Sequence, residues 1–260
     1  MNHTPPIFLS EGKDSTAFYS LKKPDKLVVF VHGFQGTSIG TWNNFSKLTT
    51  EDQDFSTTDI LYYGYDSLNG QAYDQSLEFL KFLNRYSTPD TQKLTLHSPG
   101  KYKKIIIVAH SLGALVVRYA LLDAIKDSYP WRNLCKLVLF APAHNGARIQ
   151  NLVMMSLPSF TKVIGGIAMF FKPILHDLSI GSPAIEDIRK QTDYYKNSPE
   201  HNLLSALTIH AHGDLVVQNS SYCFDEKHPK SPVRESSHMK VCKPKEDQYT
   251  LPFEILKTLI

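Results

Sequence analysis

One run of residues constrains this chain more than any other: a β-branched stretch that ends in a serine and passes straight into a helical pattern. The stretch is Lys104-Ile105-Ile106-Ile107-Val108-Ala109-His110-Ser111-Leu112-Gly113. A continuous apolar run of this length suits a central strand covered on both faces. From Leu112 to Lys126 the residues Leu112, Leu115, Val116 and Tyr119 recur at helical spacing. A strand that turns sharply into a helix lifts the intervening serine hydroxyl above the sheet, with the helix amino terminus pointing at it. Small residues are needed two positions before and two after, and Ala109 and Gly113 supply them. Alanine stands where the G-x-S-x-G pattern has its first glycine, and it is small enough to fit. A serine before a helix also suits a plain N-cap, but the order strand, serine, helix favours a nucleophile at Ser111.

The same alternation runs along the chain. Strand patterns start at Lys26, Asp59, Leu134 and Leu204, and helical patterns cover Tyr73–Arg85, Ala184–Tyr195 and Pro252–Leu259. In the first of these helices Tyr73, Leu77, Leu80 and Leu83 form one stripe. The pattern predicts an open, mostly parallel α/β sheet in a single domain over residues 1–260. A hydrophobic content of 42% is enough for a sizeable core. The net charge of +3, with no long basic run, gives no electrostatic case for nucleic acid. Three scattered cysteines suggest neither a disulfide framework nor a metal pair. The first residues lack the basic start and apolar core of a secretory signal. The longest apolar run, Val163–Phe171, is far short of the about 20 residues of a transmembrane helix. The expectation is a soluble, cytoplasmic protein with no transmembrane segment.

About sixty residues separate the strand near Ala141 from the next at Leu204, too many for an ordinary loop. Residues 148–201 form a candidate helical insertion. One reading makes it crossover helices that complete the core. The other makes it a cap whose Phe170 and Phe171 bind an acyl chain, with Lys162 and Lys172 suited to peripheral contact with an anionic membrane.

A serine nucleophile needs oxyanion donors, a base and an orienting acid. The strand from Lys26 ends in His32-Gly33-Phe34, where glycine lets the chain bend, so the Phe34 and Leu112 amides are the candidate donors. For this arrangement the chain order is serine, acid, histidine. Asp214 follows a strand end and a glycine, and His238 lies in a loop before the final helix. Asp225 and Glu226 are the rival acids, although no strand pattern directly precedes them. Among eleven histidines, His228 reads as a surface residue and His110 as pointing away from the serine's side. His144, His210 and His212 sit at strand ends, where packing or pocket lining is open to them. With no HExxH and only a bare His210-x-His212 pair, neither a metal nor a cofactor is expected.

The strings VHGFQGTSIGTW ending at Trp42, YGYDS from Tyr63, AHSLG around Ser111 and SHMKVCKP from Ser237 resemble the α/β-hydrolase superfamily. More narrowly, they are similar to its lipase-like branch of serine-active-site-containing proteins and GPI inositol-deacylase relatives. Asp214-LVVQNSS resembles the stretch around the acid of small lipases. The likeness spans about residues 26–259, apart from the insertion. It implies a serine hydrolase of esters, often lipid esters, using Ser111, Asp214 and His238. Acyl transfer on the same triad and a non-catalytic binding module are the alternatives.

Overall fold

The structure is a computed structural model that describes residues 2–88, 102–156, 172–234, 236–246 and 248–260. Its frame is an eight-stranded sheet: β1 (Ile7–Phe8), β2 (Thr16–Phe18), β3 (Lys26–Val31), β4 (Thr58–Tyr63), β5 (Lys104–His110), β6 (Cys135–Phe140), β7 (Ala206–Ile209) and β8 (Glu226–Lys227). The spatial order is β1-β2-β4-β3-β5-β6-β7-β8. The strands from β4 to β8 in that order run parallel, whereas β1 and β2 are antiparallel additions at one edge. The apolar runs read from the sequence are these central strands. Leu27 to Val31 and Ile105 to Ala109 are fully buried, as strands covered on both faces must be. The short strands β1, β2 and β8 carry no such run and were not expected from the sequence.

Register lines up the carboxyl ends of the central strands. Val31 is level with Ala109, His110 with Phe140, and Phe140 with Ile209. Residues that leave β3, β5, β6 and β7 therefore emerge side by side along one edge, where open α/β sheets gather their ligands.

The helices are α1 (Phe45–Glu51), α2 (Ala72–Ser87), α3 (Leu112–Lys126), α4 (Ile149–Ser156), α5 (Pro173–Leu178), α6 (Pro183–Tyr194), α7 (His201–Leu204) and α8 (Leu251–Lys257). Two differ from the expected stripes. In α3 every residue from Leu112 to Ile125 is buried, because the helix is packed on all sides rather than along one face. In α2 the covered face runs through Ser76, Phe79, Leu80 and Leu83, and Tyr73 turns outward at 44% exposure. Counting apolar residues alone placed the stripe too far round, since the small Ser76 occupies a buried position.

Within residues 148–201, α5 and α6 pack back onto the α2–α3 layer. The Tyr119 hydroxyl donates to the Ala184 carbonyl at 2.8 Å, and the Ala72 amide donates to Asp177 at 2.9 Å. Ile174, Leu175, Ile185 and Ile188 are buried there, so this part of the insertion completes the core. Phe170 and Phe171, the candidate acyl-binding residues, lie outside the described residues. Among the described residues no helix is long and apolar enough to cross a membrane.

Candidate active site

Ser111 occupies the step from β5 to α3 with φ 53° and ψ −118°, a conformation that costs a non-glycine residue about 1–3 kcal/mol. Three backbone hydrogen bonds hold it. The Ser111 amide donates to the Phe140 carbonyl at 3.1 Å, and its own carbonyl accepts from the Ala114 and Ala143 amides at 3.1 Å each. Gly113 has a physical reason that the sequence did not supply. A Cβ at this position would lie 2.5 Å from the carbonyl oxygens of both Val31 and His32. The close neighbour of the helix is thus the end of β3 as much as its own strand.

His238 and Asp214 meet this serine. His238 Nε2 lies 2.9 Å from Ser111 Oγ, and His238 Nδ1 lies 3.0 Å from Asp214 Oδ2. The carboxylate can only accept from Nδ1–H, which leaves Nε2 to accept the serine hydroxyl. The Asp214 oxygen Oδ1 accepts from the Val216 and Val217 amides at 2.8 and 3.1 Å. Burial pushes this carboxyl up, but the hydrogen bond and charge of His238 and the two amides outweigh it and hold it below the usual range. Gly213, at φ 68°, makes the turn that carries Asp214 past the end of β7.

The segment after β3 folds into a tight turn in which the Gly36 amide donates to the Gly33 carbonyl at 3.0 Å. Gln35 takes φ 53° at the third position, as a type II turn requires. A Cβ on Gly33 would meet His110 Nδ1 and Ser111 Cβ at 2.9 Å, so this backbone lies directly against the serine. Among the described residues neither the Phe34 amide nor the Leu112 amide donates a hydrogen bond. Leu112 is the first residue of α3, where amides have no intrahelical acceptor. The His32 ring braces the turn: Nδ1 donates to the Gly33 carbonyl at 2.9 Å, and Nε2 accepts from the Tyr65 amide at 3.2 Å. Burial above all pulls the His32 pKa down to about 4, consistent with this neutral form.

Residues 21–164, more than half of the chain, match the family described as "Putative serine esterase (DUF676)". The chain belongs to this family. A 145-residue stretch of this DUF676 chain, 55% of its length, is 31% identical to "Probable lysophospholipase BODYGUARD 4" of Arabidopsis thaliana. The match covers 31% of that relative, so the two share under a third of its length. Three solved structures share the fold. The lipase BlEst2 of Bacillus licheniformis in mature form has a TM-score of 0.63 at 16% identity, covering 94% of this chain and 97% of that one. The peroxisomal α/β-hydrolase Lpx1 of Saccharomyces cerevisiae gives 0.53 at 14%, with 94% and 80% covered. The naproxen esterase of Bacillus subtilis gives 0.52 at 11%, with 98% and 91% covered. The fold of the DUF676 chain is that of the α/β-hydrolases.

Two features of this family member escaped the sequence reading. The His110 ring lies 5.1 Å from the His238 ring, and its Nε2 donates to the His238 carbonyl at 2.8 Å. Burial and the neighbouring His238 push its pKa down to about 3, so it stays neutral. No local signal could reveal this contact, because its partner is far along the chain. The second feature concerns Asp225, the rival acid. Its carboxylate pairs with the buried Arg118 of α3 and accepts from the Ala206 amide at 3.2 Å. Arg118 also donates to the Leu204 carbonyl at 3.0 Å and lies 4.5 Å from the centroid of the Tyr222 ring. His144 stacks on that same ring at 3.9 Å. Asp225 is therefore committed to fixing α3 against β7. The rival Glu226 is exposed on β8, and His212 and His228 are also exposed. His210 is buried, and neither of its ring nitrogens has a partner among the described residues. No group of three or more His, Cys, Asp or Glu suited to a metal ion occurs among the described residues.

Proposed function

We propose that this chain is a serine hydrolase that cleaves carboxylic esters. The observation that carries the reading is the continuous hydrogen-bonded series Asp214–His238–Ser111, with links of 3.0 and 2.9 Å. Ser111 Oγ attacks the ester carbonyl while His238 Nε2 takes its proton. The Phe34 and Leu112 amides stabilise the resulting oxyanion, and removing one such donor costs roughly 10²- to 10³-fold in turnover. His238 returns the proton to the leaving alcohol, giving an acyl-serine. Water then attacks this intermediate, with His238 as base, and the acid departs. Asp214 keeps the imidazole in the required tautomer and offsets its charge when it is protonated. The scheme uses no metal or cofactor.

Lipid or acyl esters are the substrate class that the surroundings favour. Met154 and Met155 on α4, Ile180 after α5 and Leu215 beside Asp214 are 45%, 40%, 52% and 60% exposed. Their segments are tied together, since the Asn151 side chain donates to the Leu215 carbonyl at 2.6 Å, the Arg148 amide to the Val216 carbonyl at 2.8 Å and the Ala147 amide to the Leu178 carbonyl at 2.7 Å. Exposed apolar side chains on segments joined to the Asp214 loop suit an acyl chain or a lipid surface, and methionine adapts well to either. Phe170 and Phe171 are proposed to bind the acyl chain. The lipase and lysophospholipase names of the relatives agree with that substrate class.

The test is labelling with a fluorophosphonate probe followed by peptide mapping. The label is expected on Ser111, and Ser111→Ala is expected to abolish it and to lower ester turnover by about 10³-fold or more while remaining folded. A folded wild-type protein that neither labels nor turns over esters would instead be a binding module on the same fold. Transfer of the acyl group to an added alcohol in preference to water would make it an acyltransferase.

A further inference from the structure

The string YGYDS, at the end of β4, carries none of the reacting groups, yet it lies against the turn that presents the Phe34 amide. Each of its residues has a physical reason. Tyr63 ends β4 inside the core, and its ring stacks on that of Tyr65 with centroids 5.8 Å apart. A Cβ on Gly64 would lie 1.8 Å from the Lys13 carbonyl oxygen, so the chain passes there only as glycine. Asp66 closes the bend, its Oδ1 accepting from the Leu68 and Asn69 amides at 3.0 and 3.2 Å. This bend carries Tyr65 and Ser67, both buried, against the segment after β3.

Three consecutive peptide groups of that segment are anchored. The His32 carbonyl, in the first, accepts from the Tyr65 hydroxyl at 2.9 Å. The Gly33 carbonyl, in the second, accepts from His32 Nδ1 at 2.9 Å and from the Gly36 amide at 3.0 Å. The Gln35 amide, in the third, donates to Ser67 Oγ at 2.9 Å. The Tyr65 amide also holds the other nitrogen of the His32 ring at 3.2 Å, and the two rings stack at 4.4 Å. Burial pushes the Tyr65 phenol pKa well up, so its hydroxyl keeps its proton and donates.

The second group is the decisive one. In a planar trans peptide the carbonyl and the following N–H point in opposite directions. Fixing the Gly33 carbonyl therefore fixes the direction of the Phe34 N–H, which donates to nothing among the described residues. Tyr65 and Ser67 hold the groups before and after it, so rotation of its neighbours cannot carry the N–H aside while these bonds last. An oxyanion donor acts through such preorganisation, because nothing then has to rearrange as charge develops.

We propose that Tyr65 and Ser67 are positioning residues for the oxyanion site, acting through His32 and Gln35 to aim the Phe34 amide. The inference rests on the hydrolase reading above and adds the loop after β4 to the groups that set its rate.

The test uses Tyr65→Phe, which removes only the phenol oxygen, and Ser67→Ala, which removes only a hydroxyl. Each variant is measured by steady-state ester kinetics and by inhibition with an alkyl trifluoromethyl ketone. In that adduct Ser111 Oγ bonds to the ketone carbon, its proton passes to His238, and the former carbonyl oxygen becomes an oxyanion. Each variant is expected to lose about tenfold in kcat with little change in KM, and the double variant about 10²-fold, comparable to the loss of one donor. The ketone Ki is expected to rise by the matching factor. A loss of folded protein alone would lower kcat and leave Ki unchanged.

Unchanged kcat and Ki in both variants overturn the proposal, and so does a fall in kcat with Ki unchanged. A rise in KM at constant kcat also overturns it, because the side chains would then bind ground-state substrate. If Tyr65→Phe does not fold, Ser67→Ala decides by the same readings, since it keeps the ring stack and the His32 contacts. Fluorophosphonate labelling of wild-type Ser111 separates the two claims. With labelling present, full activity in both variants removes the positioning role and leaves the hydrolase reading standing. Without labelling or turnover, the hydrolase reading falls and the positioning role falls with it.

Discussion

His110 and His238 stand 128 residues apart and are joined inside the protein by one hydrogen bond, from His110 Nε2 to the His238 carbonyl at 2.8 Å. The residue before the proposed nucleophile thereby holds the backbone of the proposed base. Ser111 and His238 must keep their 2.9 Å contact through the reaction, and the two ends of that contact share this strut. His110→Phe keeps a ring and removes the donor, leaving a buried carbonyl unpaired at a cost of about 1–3 kcal/mol. Turnover is expected to fall by up to about 10²-fold as the imidazole loses its placement. The measurement is kcat beside thermal unfolding, and a folded variant with unchanged kcat would show that the strut is dispensable.

Asp214 and Asp225 should separate cleanly. Asp214→Asn is expected to lower kcat by about 10⁴-fold with a nearly unchanged unfolding curve, because an amide can stabilise the wrong imidazole tautomer. Asp225→Asn takes the charge from a buried partner of Arg118, and breaking such a pair costs about 3–5 kcal/mol. Its loss should therefore appear in denaturant midpoints rather than in kcat per folded molecule. The opposite allocation would exchange the two roles.

Acid should unfold the protein before it protonates most carboxylates. Burial is the largest cause of lowered pKa in His32, His110 and His210, which fall to about 4, 3 and 4, and in His144, which falls well below its ordinary value. In the unfolded chain each takes up a proton near pH 6.5, at about 6.5 on the ordinary scale. Between that value and the folded ones the unfolded state binds more protons, so stability is complete above about pH 6.5 and lost as pH falls. Each group contributes about 1.4 kcal/mol per pH unit in that window. Urea midpoints are expected to be level from pH 7 to 8 and to drop steeply below pH 6. A level profile down to pH 5 would contradict the neutral burial of these rings.

Gly113→Ala tests the packing of the elbow. The added methyl group would meet two backbone carbonyls of β3 and its extension at 2.5 Å, and backbone cannot swing aside as a side chain can. The expected cost is about 1–3 kcal/mol of stability, together with reduced turnover because Ser111 must shift. A variant with wild-type melting temperature and activity would mean that the helix start yields more easily than its contacts indicate.

The apolar rim predicts a chain-length effect. Each buried CH₂ of an acyl chain contributes about 0.8 kcal/mol. Catalytic efficiency should therefore rise from acetyl to medium-chain esters, and Leu215→Ser with Met155→Ser should flatten the rise. Phe170 and Phe171 are expected to act in the same direction. A profile that is level in the wild type would detach the rim from substrate binding.

The sequence alone determined whatever depends on local period and local sterics. The β-branched runs of β3, β4, β5 and β6 were legible because a strand covered on both faces needs apolar residues at consecutive positions. The serine between strand and helix and the glycine that bends the chain after His32 were legible for a related reason. Each is a constraint that neighbouring residues impose on one another. Tertiary structure decided the rest. It turned Tyr73 outward, buried α3 on every side, and assigned Asp225 to Arg118 across 107 residues. It also brought His110 against His238, and the carbonyls of β3 against Gly113. Such contacts leave no periodic trace, because each joins two positions whose separation along the chain is set by the path of the fold. Sheet order and register bring them together, and these follow from the packing of the whole chain.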